Sequence, residues 1–219
     1  MTDKESLFHQ GVKLAEAWCA LNQIPMPAID RLNPKERNYH IGTCAYYRPT
    51  TIHIMVEKCA ANGMGGRAWS WPGYKIDRTP YGVIQHELGH HVDTVRTPGL
   101  YRKQIALTDL FSHRLYQLTD NEPPLTGYLG TDTNHATFYM EWFAENLRLF
   151  VTNPDLSLKL RPRFFNAAFN AGLRPVHNET WEEILLAHGA TERIVEQARK
   201  QIANQETRNP GKEICGNLC

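Results

Sequence analysis

The sequence predicts an α+β fold, mostly helical, with a small N-terminal antiparallel or mixed sheet packed on one central helix. Three observations carry this expectation. Two segments rich in β-formers, 40–47 and 51–57, are separated by the turn sequence Arg48-Pro49-Thr50. Apolar residues then repeat at helical spacing through most of the chain after residue 79. Finally, residues 79–97 carry both a helix start and a helix stop around His86-Glu87-Leu88-Gly89-His90.

In chain order, residues 6–22 read as a helix. Ser6 can cap it, Leu7, Val12, Leu14, Ala15, Trp18 and Leu21 form its apolar stripe, and Pro25 and Pro27 end it. Residues 29–38 are polar with one proline and read as a loop. Residues 40–47 hold Ile41, Thr43 and two tyrosines, and residues 51–57 alternate in part, so the two form a hairpin or short sheet. The glycine-rich stretch 62–66 has neither the strand–loop–helix setting nor the Lys-Ser/Thr ending of a phosphate loop, which argues against nucleotide binding. Trp69, Trp71 and Tyr74 follow, either filling the core or lining a substrate groove.

The central helix is capped by Thr79 with Pro80 in its first position, and Thr97-Pro98-Gly99 ends it. At about 100° per residue, His86, His90 and Asp93 share one side, and Ile84, Leu88, Val92 and Val95 share the opposite one. Gly89 costs a helix interior about 1 kcal/mol relative to alanine, which a close approach of another backbone would explain. Residues 100–118 read as a further helix and 119–134 as a polar loop. Residues 135–152 form a strongly patterned helix broken by Asn153-Pro154. Breaks at Arg161-Pro162 and Arg174-Pro175 punctuate a helical remainder that ends in two helices joined at His188-Gly189-Ala190. The expected organisation is one domain over 1–175, a helical pair over 176–206 packed on it, and a tail from 207 to 219. The pair's apolar residues, among them Trp181, Leu185 and Ile194, would pack on the main domain or dock a partner.

The chain has 219 residues, 42% hydrophobic and 21% charged, with a net charge of +1. With no long basic runs, neither nucleic acid nor an anionic membrane is suggested as a partner. The N-terminus leads into no apolar signal segment, and no apolar run approaches the roughly 20 residues of a membrane span. A cytoplasmic protein is expected, with release by a non-standard route left open. The five cysteines, Cys19, Cys44, Cys59, Cys215 and Cys219, are odd in number and irregular in spacing, which fits reduced, buried thiols. Cys215 and Cys219 have no second pair or nearby histidine to make a zinc ribbon.

The chemistry gathers on H-E-x-x-H. His86 and His90 lie one helical turn apart on one face, so both imidazoles can reach one metal ion. Glu87 stands beside them as a base able to activate water, the pattern of zinc metallopeptidases. Catalytic zinc keeps three protein ligands. The metzincin extension fails here, because Asp93 and Arg96 occupy the positions of its glycine and third histidine. The third ligand is therefore sought on the helix bearing Glu141-Trp142-Phe143-Ala144-Glu145. Two carboxylates one turn apart among Phe138, Trp142, Phe143, Leu147 and Phe150 need a partner, since unpaired buried carboxylates are costly. Metal binding by one and a hydrogen bond from a ligand imidazole to the other would supply it. A solvent-exposed acidic face paired with Arg148 is the plainer alternative, and His113 and His135 are other candidate ligands. Asp93 would orient a neighbouring group or hold a helix end, and His91 would be packed or exposed.

His86-Glu87-Leu88-Gly89-His90-His91-Val92-Asp93, followed by Glu141-Trp142-Phe143-Ala144-Glu145-Asn146-Leu147-Arg148-Leu149, resembles the gluzincins of the anthrax lethal factor type. That family pairs H-E-F-G-H-x-V-D with E-F-F-A-E-x-F-R-L. Leu125-Thr126-Gly127-Tyr128 is similar to its L-T-x-Y, although the interval from Tyr128 to Glu141 is longer here. The resemblance covers roughly residues 80–152 and implies a zincin-like fold. It also implies zinc as cofactor, Glu141 as third ligand, Glu145 as the residue behind a ligand, and Tyr128 as the donor to the developing oxyanion. The expected activity is zinc-dependent hydrolysis of peptide bonds in a protein or peptide substrate, with Glu87 as general base. The strand at 51–57 would pair with an extended substrate if it lies at a sheet edge. Two other readings share the motif: a cytoplasmic repressor-cleaving protease, and a non-catalytic zinc-binding component of a larger assembly. The family alone suggests a toxin.

Overall fold

The computed structural model describes residues 4–33, 35, 44–61, 70–97, 99, 106–126 and 135–208. In chain order the elements are α1 (Lys4–Leu21), β1 (Ala28–Arg31), β2 (Ala45–Arg48), β3 (Thr51–Ile54), α2 (Pro80–Arg96), α3 (Phe111–Leu118), α4 (Ala136–Thr152), α5 (Pro154–Leu160), α6 (Pro162–Asn170), α7 (Trp181–Ala187) and α8 (Glu192–Arg208). Short 3-10 turns lie at Val56–Lys58 and Leu107–Asp109. The fold is α+β and mostly helical, as the sequence predicts, with a mixed sheet of three strands among the described residues.

Helix α2 begins as its sequence requires: the Thr79 side chain accepts from the Gly82 N–H, and Pro80 takes the first turn. Ile84, Leu88 and Val92 are fully buried, whereas Val95 is 40% exposed, so the apolar face stops one turn before the helix does. Two glycines let neighbours come close to α2. At Gly89 an added Cβ would meet the Ala144 backbone of α4, the close approach expected there. At Gly11 of α1 an added Cβ would meet the Tyr81 backbone, and the Gly11 carbonyl accepts from buried Gln85 Nε2 at 2.7 Å.

The sheet order is β1-β3-β2, with β1 parallel and β2 antiparallel to β3. The hairpin is therefore present, but three expectations need correction. Residues 28–31 form β1 rather than belonging to a loop. Asp30 faces the His53 imidazole, and the strand is mostly exposed, so it shows no apolar signal. The strand expected over 51–57 ends at Ile54 and gives way to the turn at Val56–Lys58. It is also the central strand, paired on both sides, so it offers no edge to a peptide. Among the described residues, the outer strands are β1 and β2.

Of the helix expected over 100–118, residues 100–105 lie outside the described residues, Leu107–Asp109 form a 3-10 turn, and α3 runs from Phe111. Its first N–H groups are claimed by the end of α2: Phe111 donates to Thr97 Oγ1 at 2.9 Å and Ser112 to Asp93 Oδ1 at 2.8 Å. A second apolar cluster joins Trp71, Tyr74, Leu149 and Leu156 to Trp181, Leu185, Ile194 and Ala198. Trp71 and Tyr74 thus fill core rather than line a groove, and α7 and α8 pack on the rest of the protein. Cys19, Cys44 and Cys59 are free thiols. Trp69, the glycine-rich stretch 62–66, Cys215 and Cys219 lie outside the described residues. Among the described residues, no helix is long and apolar enough to cross a membrane.

Candidate metal centre

The crossing of α2 and α4 brings His86, His90 and Glu141 together, each with one ligand atom within 4.8 Å of the others. His86 Nε2 lies 3.1 Å from Glu141 Oε2, and His90 Nε2 lies 3.5 Å from Glu141 Oε1. A tetrahedral ion with bonds of about 2.0–2.1 Å separates its donors by about 3.3–3.4 Å, so both spacings suit a shared ion. Buried Glu141 Oε2 makes no properly aligned hydrogen bond despite its nearness to His86, as expected of two donors aimed at a common point. These three residues can hold a metal.

Behind His86, Nδ1–H donates to Glu145 Oε1 at 2.9 Å. An ionised carboxylate only accepts, so Nδ1 carries a proton and Nε2 is the nitrogen turned to the site, able to bind a metal once it gives up its own proton. Glu145 Oε2 accepts from Arg148 Nη2 at 3.1 Å and from Thr126 Oγ1 at 3.4 Å. Burial alone would raise the Glu145 carboxyl, but Arg148 and His86 outweigh it and hold the group ionised. Burial likewise opposes ionisation of Glu141, and His86 and His90 overcome it. For His86, burial is outweighed by Glu141 and Glu145, which raise it to about 10 in the metal-free protein. Burial and the neighbouring His86 lower His90 to about 4. His90 Nδ1 is buried with no partner among the described residues.

Glu87, on the turn between the two histidines, is 7% exposed. Burial, then the charges of Glu141 and Cys44, raise it to about 7 against the pull of His86 and the Tyr47 backbone N–H. That N–H can reach α2 because Tyr47 sits opposite Ile52 and turns its own backbone groups away from β3. The strand is fixed against α2 by a line of hydrogen bonds. Thr50 N–H donates to Tyr47 Oη, which lies 3.0 Å from His91 Nδ1, and His91 Nε2–H donates to the Pro25 carbonyl at 2.7 Å. His91 is therefore packed. The Cys44 thiol is lowered to about 7 by a hydrogen bond with Cys59 and is near enough to His86 to feel its charge.

Of the residues expected at the site, His86, His90, Glu141, Glu145 and Glu87 come together. Asp93 does not join them. Its fully buried carboxylate accepts from Ser112 N–H, Ser112 Oγ at 2.9 Å and Thr97 Oγ1 at 3.4 Å, so it holds the start of α3 rather than a ligand imidazole. His113 is buried against Tyr139, and His135 is exposed ahead of α4; neither belongs to the three-donor group. The acidic pair is no solvent-exposed face, and Arg148 is 1% exposed. Tyr128 lies outside the described residues, though Thr126 of the same L-T-G-Y stretch touches Glu145. Sequence reasoning missed Arg148, Thr126, Tyr47 and Cys44 as neighbours of the site. The L-T-G-Y resemblance and the Glu145–Arg148 spacing were the available signals for the first two. No family model, curated protein or solved structure matches this chain.

Proposed function

We propose that the protein is a zinc metalloendopeptidase of the gluzincin type. The observation that carries the reading is the convergence of two imidazoles and one carboxylate beside a buried glutamate, with the first imidazole held by a second carboxylate. Nitrogen donors with one carboxylate suit zinc. When bound, the metal supplies Lewis acidity, polarising a carbonyl and acidifying a water. The remaining chemistry belongs to the chain. Glu87, buried on the turn between the two histidines, takes a proton from the attacking water and delivers it to the leaving amine. Tyr128, two residues beyond Thr126, is the proposed donor to the oxyanion. An extended peptide added to the outer edge of β2, the strand packed on α2, would lie beside Glu87.

The test is digestion of a peptide library by the zinc-loaded protein and its Glu87→Gln variant. Hydrolysis by the wild type and a loss of about 10²-fold or more in the variant, with zinc still bound, supports the reading. One zinc per chain with no peptide cleaved would instead indicate a non-catalytic zinc protein.

A further inference from the structure

Arg148 is a fully buried guanidinium, and its partners explain why it is there. Nη1 donates to the Tyr74 carbonyl at 3.1 Å, and Nη2 donates to the Lys75 carbonyl at 2.7 Å and to Glu145 Oε2 at 3.1 Å. The other Glu145 oxygen receives the His86 Nδ1–H. Tyr74 and Lys75 belong to the segment that starts α2. Asp77 in that segment accepts from Gly73 N–H at 3.0 Å, Thr79 N–H at 3.1 Å and Thr79 Oγ1 at 2.7 Å. A closed ring of contacts therefore runs from α2 through His86, Glu145 and Arg148, back through 73–79 to the cap of α2.

We propose that Arg148 is a positioning residue of the metal centre, fixing the Glu145 carboxylate and through it the orientation and tautomer of His86. This rests on the reading of His86, His90 and Glu141 as metal ligands. One planar fork serves three acceptors in different directions, which the ammonium of lysine cannot reproduce. With Oε2 held by Arg148, Glu145 turns Oε1 to His86 Nδ1–H, which leaves Nε2 as the nitrogen facing Glu141 and the metal position. A residue that merely filled the core would hold the 74–75 segment without acting on His86.

A double-mutant cycle separates the two roles. Zinc(II) affinity is measured by chelator competition for wild type, Arg148→Lys, Glu145→Gln and the double variant, and the visible spectrum of the cobalt(II) form is recorded for each. Each single change should weaken zinc about 10- to 100-fold. The double variant should lose no more than Glu145→Gln alone, and the cobalt bands should shift the same way in both single variants. Wild-type affinity in Arg148→Lys, or losses that multiply in the double variant, would overturn the proposal. Should Arg148→Lys fail to fold, NMR of the Arg148 guanidinium in wild type and Glu145→Gln carries the test. A change in Glu145→Gln that falls on Nη2, the nitrogen shared with Glu145, and spares Nη1 supports the coupling, and an unchanged Nη2 signal overturns it. A wild-type protein that bound neither metal would overturn the metal reading, and this inference with it.

Discussion

A Cβ placed on Gly89 would lie 2.5 Å from the Cα of Ala144. The contact sets how near α4 comes to α2, and hence how near Glu141 comes to His86 and His90. Helix propensity favours alanine over glycine by about 1 kcal/mol, but relieving the clash means moving backbone, which typically costs about 1–3 kcal/mol. The clash should win. Gly89→Ala is expected to lower stability to chemical denaturation and to weaken zinc binding about tenfold or more. A variant more stable than wild type with intact affinity would mean that α4 yields without moving Glu141.

The metal-free site should resist metal by holding a proton. Glu141 and Glu145 raise His86 from 6.5 to about 10, against burial. Its contribution to metal-free stability is thus complete below pH 6.5 and is lost as pH climbs through about 10. Metal binding runs the other way, because the ligand nitrogen must be free of its proton. Above pH 7, His90 is already neutral and Glu141 and Glu145 are ionised. Zinc affinity should therefore rise about tenfold per pH unit between 7 and 9, with about one proton released per zinc. Calorimetry in buffers of different ionisation enthalpy measures that proton. A pH-independent affinity would show that His86 is neutral before metal arrives.

What the sequence revealed depended on how local each cause was. The start of α2 was legible because Thr79 and Pro80 act within one turn. Gly89 was legible because a residue that weakens a helix calls for a reason nearby, here Ala144. Glu141 and Glu145 stood out as carboxylates on an otherwise apolar helix. β1 was hidden because Asp30 and Arg31 take their conformation from pairing with His53 and Ile54, more than twenty residues later. The central place of β3 was hidden too, since alternation reveals which face is buried but not which strands lie on either side. Arg148 at i+3 from Glu145 has the spacing of an ordinary surface pair, and its carbonyl acceptors lie more than seventy residues earlier.

Asp93 and Glu145 should part company under mutation. Asp93 spends its hydrogen bonds on Ser112 and Thr97, so Asp93→Ala leaves buried donors at the start of α3 unmatched. The expected cost is about 1–3 kcal/mol of stability with zinc affinity unchanged. Glu145→Gln should weaken zinc about 10- to 100-fold and also lower stability, because it leaves the buried Arg148 charge without its carboxylate. Thermal unfolding and chelator competition on both variants decide it. A loss of zinc affinity in Asp93→Ala would return Asp93 to the metal site.

The helices after residue 180 are expected to matter to the metal site although they lie outside the α2–α4 crossing. Leu185 of α7 is fully buried in the cluster that encloses Tyr74. The Tyr74 carbonyl is one of the three acceptors that hold Arg148. Truncating a buried leucine to alanine costs about 2–5 kcal/mol, through lost transfer energy and the cavity left behind. Leu185→Ala should therefore lower stability by that order. It should also loosen the 74–75 segment enough to weaken zinc measurably, by less than Arg148→Lys does. Denaturant melts with zinc saturated and with zinc removed give both quantities from one preparation. A variant that loses stability equally in the two states would confine α7 to a packing role. One that loses more with zinc saturated would tie the second apolar cluster to the metal through Tyr74 and Arg148.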